Sequence, residues 1–141
     1  MATQTDLLRS RPARLAEPLG LAAAAGLGAL ALRLRDPHES GTWGYCPVNL
    51  ITGGYCPGCG GLRAVNDLTH FDVAAAASSN LLFVAALPLI AAFWLLWVRA
   101  AATGQDRPRV PWSPALVGCI IAAGVLFTIL RNTGFGAWLA P

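Results

Sequence analysis

Long apolar runs separated by short polar stretches lay out the plan of this chain. Three runs are free of charge: Leu19–Leu32, Asn80–Val98 and Ala115–Leu130. A membrane-spanning helix needs roughly 20 mostly apolar residues. The first run has only fourteen, but Arg33 and Arg35 behind it can snorkel from a helix end, extending the usable span to about residues 15–34. A cleaved signal avoids basic residues directly after its apolar core, so this segment is expected to stay as a helix. Asp72 is placed to cap the second helix, which is expected over residues 73–98 and closes with Trp94, Trp97 and Arg99, an aromatic belt followed by a basic stop. Pro88 is expected to kink it. Ser113-Pro114 opens the third, over residues 114–131, and Asn132-Thr133-Gly134 stops it. The tail from Phe135 to Pro141 is expected to lie along the interface. The expected fold is therefore all-α: one integral membrane domain, residues 1–141, with three transmembrane helices. A Cys- and Gly-rich loop, residues 36–71, joins the first two and contains a short interfacial helix.

Composition agrees. Hydrophobic residues make up 55% of the chain and charged ones 12%, half the share usual in soluble domains, about 25%. Mean hydropathy is +0.54. A net charge of only +3 without a dense basic patch excludes a nucleic-acid binder, and the apolar content excludes a disordered chain. All ten basic residues are Arg, a usage expected of a GC-rich bacterial gene. With the N-terminus inside, the leader (Arg9, Arg11, Arg14) and the second loop (Arg99, Arg107, Arg109) set six Arg on the cytoplasmic side against four outside. The excess favours a cytoplasmic N-terminus in the cell membrane and an extracytoplasmic first loop.

That first loop carries the chemistry. Its centre is Cys56-Pro57-Gly58-Cys59-Gly60-Gly61-Leu62-Arg63-Ala64, with Cys46 ten residues upstream of Cys56. Two cysteines separated by two residues close a tight turn that suits a tetrahedral metal or a disulfide. Gly60-Gly61 is expected to let backbone N–H groups approach the sulfurs. From Leu62 to His70 the spacing reads as a short amphipathic helix. Its N-terminus would favour a thiolate at Cys59, with Arg63 adding positive charge one turn on.

This segment resembles a family of small bacterial membrane proteins known as domain of unknown function 2752. The shared signature is a Cys-Pro-x-Cys-Gly turn, then Arg-Ala, then a membrane helix. Here it is Cys56 to Gly60, Arg63-Ala64 and the helix containing Asn80. Leu62 and Leu81 stand where the family usually has Thr and often has Pro, and Arg131-Asn132 offers a second match. The resemblance implies architecture and brings no activity with it.

Three accounts of the loop stay open. In the first, Cys46, Cys56, Cys59 and one of His70 or His38 hold a structural metal, zinc before others, with Arg63 offsetting the charge. In the second, Cys56 and Cys59 cycle between dithiol and disulfide, as in a membrane thiol oxidoreductase. In the third, the glycine-rich turn merely packs and the cysteines are incidental.

The remaining polar residues read more plainly. His38-Glu39 is expected to be solvated loop, Asp67 and Asp72 helix caps, and Cys119 a small packing residue. The tryptophans read as interface anchors. Asn80 lies inside a span and is expected to hydrogen-bond across helices or to the loop. Arg131 is read as snorkelling, within reach of the same place. Gly20, Gly26 and Gly28 give the first span a small-residue face suited to close helix packing. Three short spans cannot enclose a transport pathway by themselves. The expected role is an accessory or assembly subunit, partnered with other membrane subunits or its own copies, rather than an enzyme.

Overall fold

The computed structural model describes residues 11–39 and 41–141. Arg9 of the basic leader lies outside them. Among the described residues there are helices and no strands. They are α1 (Arg11–Leu34), α2 (Pro47–Thr52), α3 (Gly61–Thr69), α4 (Val73–Thr103), α5 (Pro114–Arg131) and a terminal 3₁₀ helix, Gly134–Leu139. Three segments are long and apolar enough to cross a membrane: Pro12–Leu34, Val73–Thr103 and Pro114–Arg131. Only 6–11% of each apolar window is buried within the chain, so these are surfaces for lipid, and the chain reads as a multi-pass membrane protein. The first span starts three residues before the expected boundary and the second ends five beyond it.

Two of the three expected caps are in place. The Asp72 carboxylate accepts from Ala75 N–H at 2.8 Å, and the Ser113 hydroxyl accepts from Leu116 N–H at 3.1 Å. α4 also has a break that the sequence did not announce, at Asn80 (φ −159°, ψ 90°), eight residues before Pro88. Asn80 Oδ1 accepts the Phe83 N–H at 2.9 Å, the donor that would otherwise bond to Ser79 O in an α-helix. A side chain inserted into the helical ladder is a recognised cause of a kink.

The described residues divide into two compact units, one drawing on Leu87–Pro111 and residues 11–28, the other on Ala29–Ala86 and Trp112–Pro141. In the first, Pro18 is buried and its carbonyl accepts from Trp94 Nε1 at 3.0 Å. Arg107 stacks 4.0 Å from the Trp97 ring centroid. Trp94 therefore spends its N–H on the protein instead of the lipid headgroups.

The second unit has an unusual core. Leu32, Ala64, Ala76, Phe127 and Leu139 are buried together with Asn66, Asp67, Ser79, Asn80 and Arg131. Each polar member has a partner, as burial requires. Asn66 Nδ2 donates to Leu32 O at 2.8 Å, Ser79 Oγ donates to Asp67 Oδ2 at 2.8 Å, and Arg33 donates to Thr69 O. Asp67, expected as a cap, is thus a buried acceptor. The tail folds back on the end of α5: a Cβ on Gly136 would meet Leu130 O at 2.0 Å, while Phe135 and Trp138 stay exposed.

Candidate metal centre

The site belongs wholly to the second unit and is built on two turns. Cys46 is the N-cap residue of α2, with Pro47 in the first helical turn. Backbone N–H groups at a helix start favour negative charge. The backbone N–H of Asn49 facing the Cys46 sulfur, followed by the neighbouring Cys59 thiol, lowers this thiol to about 7.

The second turn, Cys56 to Gly60, is closed by Cys59 N–H donating to Cys56 O at 3.1 Å. Cys56 N–H donates to Cys59 Sγ at 3.2 Å, so the N–H that approaches a sulfur comes from Cys56 instead of the glycines. Cys59 is 8% exposed, and burial, followed by the Cys56 and Cys46 thiols, pushes its own thiol up to about 12. The expected thiolate at Cys59 is therefore reversed. Gly60, not Cys59, caps α3, and desolvation of the charged form outweighs the helix dipole.

Gly60 has φ +80°, and a Cβ there would lie 2.2 Å from Ser79 O. Only glycine allows both this left-handed backbone and this close approach.

Three side chains from the ends of the spans clamp the turn through its carbonyls. Asn80 Nδ2 donates to Pro57 O at 3.0 Å and to Cys59 O at 3.1 Å. Arg131 Nη1 donates to Cys56 O at 2.9 Å and Cys59 O at 3.0 Å, and its Nη2 to Ser79 O at 3.2 Å and Leu139 O at 2.8 Å. Asn132 Oδ1 accepts Tyr55 N–H at 2.8 Å while its Nδ2 donates to Tyr55 O at 2.8 Å. The Arg131 guanidinium lies 4.8 Å from the Phe127 ring centroid and 5.7 Å from that of Tyr55. Rather than snorkelling outward, Arg131 is 1% exposed. The break at Asn80 explains part of this, since it releases the Ser79 carbonyl that Arg131 takes.

The result is a cluster of three sulfurs. Cys56 and Cys59 Sγ are 2.9 Å apart, Cys46 and Cys56 Sγ 3.5 Å, and all three lie within 4.8 Å of one another. Thiolates on one zinc, at about 2.3 Å each in a tetrahedral shell, would be roughly 3.8 Å apart. Modest opening of the Cys56–Cys59 pair would fit that geometry. Thiolates are soft donors suited to zinc or copper(I).

The close group has three members among the described residues, and no histidine joins it. His70 Nδ1 lies 2.9 Å from Asn66 O. His38 is exposed loop, as expected, and lies between Asp36 and Asp67: Nδ1 is 2.8 Å from Asp36 Oδ1 and Nε2 is 3.4 Å from Asp67 Oδ1. The His38 contacts hold the Asp36 carboxyl below the usual range. Arg63 turns its Nε onto Pro37 O at 3.3 Å, so the cation held against the cysteine turn is Arg131. Beside the sulfurs opens a cleft of about 530 Å³, lined by all three cysteines with Trp43, Tyr45 and Tyr55 among its walls. Cys119 is exposed within α5, away from the cluster.

Comparison with known proteins agrees with the resemblance seen in the turn. Residues 46–94 match the family described as "Protein of unknown function (DUF2752)". The matched segment runs from Cys46 into α4 and includes every cysteine of the cluster and Asn80. Arg131 and Asn132 lie outside it. No curated protein and no solved structure matched the chain.

Proposed function

We propose that this protein is an accessory or assembly subunit of the cell membrane whose Cys-rich loop is organised by a metal ion, zinc before others, held by Cys46, Cys56 and Cys59. The observation that carries this reading is the convergence of three sulfurs within 4.8 Å on turns whose carbonyls are pinned by Asn80 and Arg131. A loop without a core of its own gains stability from metal binding directly. The six-to-four distribution of Arg supports a cytoplasmic N-terminus. Gly20, Gly26 and Gly28 have open space above them, which suits close packing against another subunit.

A second reading, thiol–disulfide exchange by Cys56 and Cys59, is favoured by their 2.9 Å separation. Cys56→Ser and Cys59→Ser, each made alone, separate the two. Loss of metal and of thermal stability supports the metal reading. Two folded, equally stable variants, one that no longer forms a mixed disulfide with a small-molecule disulfide and one that accumulates it because the resolving thiol is gone, support exchange.

A further inference from the structure

The donor set leaves a zinc shell one ligand short. Zinc in a structural site takes four ligands, whereas sites that bind something keep one position open. Among the described residues the close group ends at the three cysteines. Both nitrogens of His38 face carboxylates, and His70 Nδ1 is engaged with Asn66 O. The Asp67 carboxylate is occupied by Ser79 and His38. The sulfurs border a cleft of about 530 Å³, room for a side chain where one water takes about 30 Å³.

Charge narrows the class of ligand. Ligating cysteines are deprotonated, so three of them on a divalent ion leave a net charge of about −1. The Arg131 guanidinium, held on the carbonyls of Cys56 and Cys59, balances it. Arg63 and Glu39 both line the cleft and carry opposite charges, so a further anionic donor would tip the balance next to a buried sulfur, whereas a neutral one keeps it.

Resting on the metal reading above, we infer that the three cysteines hold their ion with its fourth position open to the cleft, for a neutral nitrogen donor of the imidazole class supplied from outside this chain. The loop is then a docking point for a histidine of a partner, and the ion is the contact.

Cobalt(II) loaded into the full-length protein in detergent tests this, because its visible d–d bands report coordination and its sulfur charge-transfer band reports thiolates. Titration with free imidazole is expected to shift the d–d bands saturably while the charge-transfer band persists. His70→Ala and His38→Ala, or His70→Gln and His38→Gln if the alanine variants fail to fold, are expected to bind cobalt with the wild-type spectrum. Bands that ignore imidazole overturn the inference, as does a histidine variant with an altered cobalt spectrum, since the shell would then be closed from within; both outcomes leave the metal reading intact. Failure of the wild-type protein, with its thiols reduced, to bind cobalt at all overturns both.

Discussion

Replacing Arg131 by methionine removes the four hydrogen bonds that tie the cysteine turn, α4 and the tail together. Two of the four carbonyls keep another donor: Cys56 O has Cys59 N–H and Cys59 O has Asn80 Nδ2. The Ser79 and Leu139 carbonyls lose theirs, and Ser79 cannot recover Phe83 N–H while Asn80 Oδ1 holds it. A buried polar group left unpaired costs about 1–3 kcal/mol, so two cost about 2–6 kcal/mol. Methionine recovers some of this because burying a guanidinium is itself costly. The expected net loss is toward the lower end of that range. Arg131→Lys is expected to fall between the two, because a compact ammonium has three donors and no planar fork to span four carbonyls. Thermal unfolding in detergent, followed by static light scattering or by size-exclusion chromatography after heating, measures the effect. An Arg131→Met protein that unfolds at the wild-type temperature would refute the clamp.

Gly60→Ala is expected to destabilise by more than the roughly 1–3 kcal/mol of a left-handed backbone alone, because its Cβ also meets Ser79 O at 2.2 Å; the same thermal assay checks it. Asn80→Leu leaves Pro57 O without its donor, while Cys59 O keeps Arg131, and lets α4 straighten, so a loss of about 1–3 kcal/mol with faster metal release to a chelator is expected. In metal-stripped protein, alkylation should mark Cys46 before Cys59. The Cys46 thiol, lowered to about 7 from 9.0, becomes thiolate as the pH rises through 7, while Cys59, raised to about 12, stays protonated. Peptide mapping by mass spectrometry should show the preference growing from pH 6 to 8, and equal labelling at pH 8 would count against the assigned environments.

The architecture was readable because a membrane helix is written in composition and length, which need no knowledge of neighbours. The caps at Asp72 and Ser113 were readable for the same reason, since each depends on donors three residues away. The clamp was less so. Arg131 at the end of an apolar run looks like a snorkelling residue, and its burial rests on four carbonyls brought together by the fold, one of them freed by the break at Asn80. Pro88 carried the stronger kink signal in sequence, yet Asn80 is where a side chain competes with the helical ladder. The thiol environments were inverted: proximity to a helix start suggested Cys59, whereas the tertiary fold buries that thiol and leaves Cys46 at the start of α2. The CxxC turn and Cys46 pointed to a common site. Their convergence depends on a long-range placement that local spacing does not encode.

Metal content by elemental mass spectrometry on detergent-purified protein, with free thiols counted on the same sample, tests the central claim most directly. The metal-centre account predicts about one zinc per chain, with Cys46, Cys56 and Cys59 blocked to thiol reagents until a chelator is added. No metal, with two thiols missing until a reductant is added, would contradict it and leave the Cys56–Cys59 disulfide as the better reading.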